Sequence, residues 1–413
     1  MSKRFSQYVL LSTLLVFSML LAACGGAPAA APAEADKPAA DAPAAAAGEK
    51  ILIGASMCLT GIQAPLDEPQ LKGAQVAVDY LNKNGGILGK QVELINLDGK
   101  SDPVTVGNNT IELVQKGAVA IIAPSDFDFG GPASREAQKA GIVGISPCAS
   151  SPLYGSDALG DLQFTMSMWN TTMGAAAAEY AYNELGYRTA YVVTDTFIDY
   201  TKSLSRYFIE AFTQLGGEVF AEDTYVQGDQ DFSAQLARIK ALEKQPDFLY
   251  ISSYMPDLGM IIRTIREAGI TTPIVGGDSY DDPGLFEALG PEIGNDITWT
   301  THSWMTRDAS PEMALFLDEY QAKFNAEPEA MFTVAGWDVV MVLAQAMEKA
   351  GTTEGKAVAK AMEEMEFKLL TGSLDWKPAS EGHETDKEVC MVNLIDGKPN
   401  FLGWIRPEIS LKP

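Results

Sequence analysis

Apolar positions along this chain change their spacing in a repeating order. Ile51-Leu52-Ile53-Gly54-Ala55 is a short apolar run, of the kind buried on both faces of a sheet. A polar, glycine-containing loop, Ser56–Gln70, follows it. Leu71, Ala74, Val78 and Leu81 then fall at helical spacing within Leu71–Lys83. Asn84-Gly85-Gly86 tolerates positive φ and ends that helix, and Lys90–Leu97 alternates as a second strand. Strand, helix and strand with short joints predict a βαβ unit and hence a parallel sheet. Such sheets place ligands beyond the carboxyl ends of their strands, so the loop Met57–Pro69 is the first candidate functional segment.

The same rhythm continues. Asp102-Pro103 reads as a capped start for a helix running to about Lys116. Ala118–Ala123 and Ile142–Ser146 are predicted strands, with a helix over Pro132–Lys139 between them and an extended segment at Gln163–Trp169. A second series follows. Its predicted strands are Thr189–Thr194, Glu218–Tyr225, Asp247–Ser252 and Pro273–Gly277; its helices are Met173–Leu185, Leu204–Leu215, Phe232–Lys244 and Leu258–Ala268. Two tandem α/β series are better housed in two lobes than in one very wide sheet. The last third adds a strand at Ile297–Thr301 and helices at Pro311–Phe324, Ala330–Ala350 and Gly355–Met365. It ends in a hairpin, Val389–Ile395 and Asn400–Ile405 around Asp396-Gly397. This tail completes both lobes, with chain crossings expected near Trp169, Thr301 and Asp375.

Composition narrows the function. The chain has 413 residues and a formal charge of -25, which argues against nucleic acid as a partner. Two histidines and four cysteines show no zinc-ligand spacing, so no metal or cofactor is expected. Gly85-Gly86-Ile87-Leu88-Gly89-Lys90 follows a helix and precedes a strand, the wrong order for a phosphate loop, and reads as a tight turn. No Gly-x-Ser-x-Gly elbow occurs and His302 has no triad partners in the sequence. Asp281-Asp282 and Glu363-Glu364 read as helix-start or surface charges. No catalytic residue is singled out, although an exported α/β enzyme stays open as one reading.

The N-terminus has the parts of an export signal. Lys3 and Arg4 precede the apolar run Tyr8–Leu21, too short to span a bilayer. Leu21-Ala22-Ala23-Cys24 resembles the bacterial lipobox, which implies lipidation at Cys24 and a membrane anchor facing the periplasm or the cell exterior. Residues 1–23 are then the signal peptide, and the Ala/Pro-rich segment 24–49, with no apolar period, a disordered tether.

Candidate binding chemistry gathers at strand ends. Ser125-Asp126-Phe127-Asp128 and Ser146-Pro147-Cys148-Ala149-Ser150-Ser151-Pro152 close strands of the first series. Asp195–Tyr200, Ser253-Tyr254-Met255-Pro256 and Gly277-Asp278-Ser279-Tyr280 close strands of the second. Any one of these is ordinary turn chemistry; together at sheet carboxyl ends they point to a ligand cleft.

Several segments carry a family resemblance. Thr60-Gly61, the Leu71–Leu88 region ending Asn-Gly-Gly-Ile-Leu, Asp102-Pro103, Ile145-Ser146-Pro147, Tyr254-Met255-Pro256-Asp257 and Gly276-Gly277-Asp278 stand in order and spacing. From about Ile51 onward the chain resembles the leucine/isoleucine/valine-type (branched-chain amino acid) solute-binding proteins of ABC importers. The resemblance implies the type I periplasmic-binding-protein fold: two open parallel-sheet α/β lobes on a three-crossover hinge. Lobe 1 would be residues 50–168 plus 302–376, and lobe 2 residues 169–301 plus 377–413. It implies capture of a small polar ligand by hinge closure, with ABC permease subunits as partners. The Cys148 backbone and the Ser150 hydroxyl would meet a ligand carboxylate, Asp278 its ammonium, and Tyr254 would close the cleft.

This chain also departs from the family. Asp126-Phe127-Asp128 replaces a Ser/Thr loop, leaving Phe127 as a wall and admitting amides, urea-like compounds or polyamines as alternative ligands. The loop Thr196–Tyr200 is one residue longer than is usual in that family, so Phe197 or Tyr200 is the aromatic contact; Leu66 and Met255 are further lining candidates. The family's small disulfide is missing, since Ser101 and Asp126 stand at its positions, and Cys58 with Cys148 is a candidate replacement pair. A sensor for a separate signalling partner remains an alternative role.

Overall fold

The computed structural model describes residues 50–229 and 231–413. Cys24, the signal segment and the Ala/Pro-rich segment lie outside the described residues.

The chain begins with β1 (Ile51–Ala55), α1 (Ala64–Lys83), β2 (Val92–Asn96), α2 (Pro103–Gln115) and β3 (Ala120–Ile122). It continues through α3 (Phe127–Ala140), β4 (Val143–Ser146), α4 (Ser156–Leu159) and β5 (Gln163–Thr165). These five strands form one wholly parallel sheet in the order β2-β1-β3-β4-β5. β1, β3 and β4 are mostly buried, as their apolar runs require, while the edge strand β2 is mostly half-buried.

The second series is α5 (Asn170–Glu179), β6 (Thr189–Asp195), α6 (Asp199–Gln214), β7 (Glu218–Tyr225), α7 (Ser233–Lys240) and β8 (Phe248–Ser252). Then come α8 (Asp257–Glu267), β9 (Ile274–Gly276), α9 (Pro283–Ile293) and β10 (Ile297–Thr301). The tail comprises α10 (Pro311–Phe324), α11 (Thr333–Ala350), α12 (Gly355–Glu363), β11 (Phe367–Leu369), β12 (Gly372–Trp376), β13 (Thr385–Asp386), β14 (Val389–Ile395) and β15 (Lys398–Ile405). The second sheet runs β15-β14-β10-β9-β8-β6-β7, parallel except for β14 and β15, which pair antiparallel as the predicted hairpin. Helices α10 to α12 pack back on the first sheet, in one core with β1, β3 and β4. The chain therefore passes between the sheets three times: after β5, after β10 and after β13.

Both sheets are covered on both faces. α1, α11 and α12 lie over one face of the first sheet and α2 and α3 over the other. On β6 the alternation is direct: Ala190 and Val192 face α5 and α6, while Tyr191 and Val193 face α8. α1 crosses α11 at two glycines. A Cβ on Gly73 would lie 1.9 Å from Thr333 O, and one on Gly336 would lie 1.7 Å from Gln70 O. Only backbone fits at this crossing, so α1 and α11 pack as one unit.

The structure corrects several local expectations. α1 starts at Ala64 rather than Leu71, so the second part of the expected loop Met57–Pro69 is helix, with Pro65 in the first turn and Pro69 inside. α3 starts at Phe127 rather than Pro132. Each internal proline forfeits only the bond to the residue four positions earlier, which a well-packed helix near its start tolerates. The short sheet β11-β12-β13 and helix α9 had no counterpart in the expected pattern. Cys58 and Cys148 are free buried thiols, not a disulfide; they sit in separate cores.

Candidate functional site

The carboxyl ends of the two sheets meet around a small buried cavity. From the first sheet's side it is lined by Leu66 of α1, by Ser125 and Asp126 after β3, and by Cys148 after β4. From the second sheet's side come Tyr200 of α6, Tyr254 after β8, and Asp278 and Ser279 after β9. Phe332, just ahead of α11, closes the wall. The cavity holds about 10 Å3, room for about one water, so the two sheets are closed tightly on it.

Asp126 occupies the N-cap position of α3 but does not cap it. An N-cap aspartate ordinarily contributes about 1 kcal/mol to its helix. Here the carboxylate turns away, and Oδ2 accepts from Gln63 Nε2 at 2.6 Å and from Tyr254 Oη at 2.6 Å. Burial pushes its pKa up to about 7, with the Tyr254 and Gln63 hydrogen bonds opposing and the charges of Asp128 and Asp278 adding. Tyr254 belongs to the second sheet, so this bond spans the cleft. Two further links do the same: Asp199 N–H donates to Asp128 Oδ2 at 2.9 Å, and Ser151 Oγ donates to Asp199 Oδ2. The described conformation is thus a closed one.

Asp278 sits in a 3-10 turn and is 5% exposed. Its Oδ2 is 2.7 Å from His302 Nε2, while Oδ1 has no hydrogen-bond partner. Tyr200 and Tyr254 meet edge to face with centroids 5.2 Å apart, and Tyr200 Oη accepts from Ser279 N–H at 3.3 Å. Burial raises both phenols' pKa values well above the ordinary one, so they stay donors.

The structure brings Cys148, Tyr200, Tyr254 and Asp278 together, with Leu66, on one cavity; Met255 lines the adjoining space. Ser150 is buried with its Oγ unpartnered, but it is not among the lining residues. Phe127 lies under the Arg135 guanidinium, 5.5 Å from ring centroid to Cζ, in the core beside α2 and α3. Phe197 is 48% exposed. Sequence reasoning set aside His302, which supports Asp278, and placed Asp281 at a helix start. Asp281 is buried and accepts from Trp299 Nε1 at 2.7 Å and from Thr301 Oγ1. The true cap is its neighbour, Asp282, whose Oδ1 accepts from Gly284 N–H at 2.7 Å. No group of three or more His, Cys, Asp or Glu among the described residues is arranged to hold a metal.

Strand-end loops of two α/β sheets folded over a closed polar cavity define a solute-binding protein. Residues 50–398 match the periplasmic binding protein family, and the chain belongs to it. It is 30% identical over 315 residues to the Leu/Ile/Val-binding protein BraC3 of Rhizobium johnstonii, covering 76% of this chain and 83% of that protein. The leucine-, isoleucine-, valine-, threonine- and alanine-binding protein of Pseudomonas aeruginosa is 25% identical over 331 residues, covering 79% and 86%. Among solved structures, the branched-chain amino acid transporter substrate-binding protein LivJ of Streptococcus pneumoniae, in complex with isoleucine, superposes with a TM-score of 0.78 at 29% identity, covering 87% of this chain and 100% of that one. The leucine-binding protein LivK of Thermotoga maritima gives the same TM-score at 28% identity, covering 87% and 99%. The fold is therefore the expected type I periplasmic-binding-protein fold, and the protein is a binder, not an enzyme.

Proposed function

We propose that this chain is the solute-capturing receptor of an ABC importer and that its solute is a small amino compound of the amino-acid class. The observation that carries this is Asp278 Oδ1, a carboxylate oxygen without a partner on a closed cavity between two sheets. With His302 on the other oxygen of this carboxylate, the open oxygen in a water-poor cleft calls for a charged donor such as a ligand ammonium. Tyr200 and Tyr254 wall the same space and Leu66 and Phe332 give it apolar surface. The relatives' names and the isoleucine bound in one of them support the amino-acid class.

In this reading the lobes follow the two sheets, broadly 50–168 plus 302–376 and 169–301 plus 377–413. The pairing of β13 with β12 draws the segment up to Asp386 toward the first. Ligand bridges lobes that otherwise part, so its apparent affinity is reduced by the cost of closing. Anchoring through a lipidated Cys24 belongs to the same proposal. No helix among the described residues is long and apolar enough to cross a membrane.

The test is a thermal-shift screen of the purified protein with the twenty common amino acids, their amides and small amines, followed by mass spectrometry of the recovered ligand. A receptor gains stability with ligand excess and returns the ligand unchanged. Loss of membrane association on Cys24→Ala tests the anchor separately.

A further inference from the structure

The donors at the ends of β1 and β3 are already engaged by the protein itself. Asp67, on α1, is fully buried. Its Oδ2 accepts from Cys58 N–H at 2.8 Å. Its Oδ1 accepts from Ser125 N–H at 3.0 Å and from Ser125 Oγ at 2.6 Å. Cys58 follows β1 and Ser125 follows β3, and these two strands are neighbours. A resident carboxylate thus occupies the strand-end amides that lie beyond the sheet's carboxyl edge, where ligands of open α/β sheets bind.

Several side-chain donors of this wall are committed as well. Gln70 Nε2 donates to Cys148 Sγ at 2.9 Å and Gln70 Oε1 accepts from Ser125 Oγ at 3.0 Å. Gln63 Nε2 and Tyr254 Oη both donate to Asp126. His302, the nearest cationic candidate, is taken by Asp278. No lysine or arginine lines the cavity or the space adjoining it. What the cavity does offer is acceptor: Asp126, and Asp278 with Oδ1 unpartnered on a side chain 6% exposed.

A ligand carboxylate placed here would lie beside Asp126 and the open oxygen of Asp278, with His302 already held on the other oxygen of Asp278. Like charges in a desolvated site repel strongly, and a desolvated carboxylate without donors is costly. An ammonium meets the reverse situation. We infer that the solute is a cation carrying no free carboxylate: an amine, or an amino acid whose acid end is masked as an amide. This rests on the receptor function proposed above and narrows its substrate class.

The test uses the wild-type protein and matched compounds that differ only at the acid end. L-leucine is compared with L-leucinamide and isoamylamine, L-arginine with L-argininamide and agmatine, and L-lysine with L-lysinamide and cadaverine. Dissociation constants are measured by calorimetry at pH 7. In the tightest-binding series the amide or amine is expected to bind at least about ten-fold more tightly than the free acid. A free amino acid that binds as tightly as its amide and its amine, or more tightly, overturns the inference and leaves the receptor function standing. Silence from every compound here and in the broader screen overturns both.

Discussion

Tyr254 Oη donates to Asp126 Oδ2 at 2.6 Å, joining the loop after β8 to the loop after β3 across the cavity. The bond exists only while the two sheets are brought together. Tyr254→Phe removes a donor to a buried carboxylate, a loss of about 1–3 kcal/mol. The closed form is expected to be less populated and ligand binding correspondingly weaker. Small-angle scattering of the ligand-free protein should show a larger radius for the variant; an unchanged radius and affinity would remove this bond from closure.

Asp278→Asn keeps the shape of the site and removes its charge. Truncating one side of a buried charge pair costs about 2–5 kcal/mol of binding. The ligand-induced rise in melting temperature is expected to disappear at concentrations that saturate the wild type. Survival of the full shift would show that Asp278 does not hold the cationic end.

Stability should fall as pH rises from about 4 to 8. Burial raises the carboxyls of Asp67 and Asp338 to about 6, Asp126 to about 7 and Asp281 to about 8. Each folded-state value exceeds the unfolded one, so the folded chain binds more protons between the two and loses relative stability as pH climbs through that window. The charge of -25 acts in the same direction. Melting temperatures at pH 5 are expected to exceed those at pH 8, and Asp126→Asn should shrink the difference. A flat or inverted profile would contradict these assignments.

Two glycines give opposite expectations. Gly336→Ala puts a methyl against Gln70 O at the α1–α11 crossing, where backbone cannot yield without parting the helices. Overpacking of this kind costs about 1–3 kcal/mol, at least. Gly107 lies within α2 with its nearest neighbour, Pro132 Cβ, at 3.8 Å. Gly107→Ala should therefore stabilise by about 0.5–1 kcal/mol. Chemical denaturation of both variants checks the pair.

The succession of strands and their parallel pairing were legible because a parallel sheet buried on both faces writes itself as short apolar runs. Helix starts were not. Pro132 and the Leu71 region looked like beginnings, yet α3 begins at Phe127 and α1 at Ala64, because tertiary packing holds the turns ahead of the prolines. Tyr254 and Asp278 were reachable as strand-end residues. Asp67 was not: an acidic residue near a helix start is ordinarily a surface charge favoured by the helix dipole. Only the fold reveals that its carboxylate is buried on the amides of Cys58 and Ser125. His302 was passed over because its partner, Asp278, lies on the preceding strand's turn rather than in any motif.

The crossing of Gly73 and Gly336 has a bearing on recognition. It ties the helix that carries Asp67 to the helix that follows Phe332 with no side chain between them. One half of the binding chamber is thus prefabricated when the chain folds, its charge pattern and its apolar panel fixed relative to each other. An arriving solute has only the opposite half to recruit, and the ordering entropy of the first is settled before the encounter.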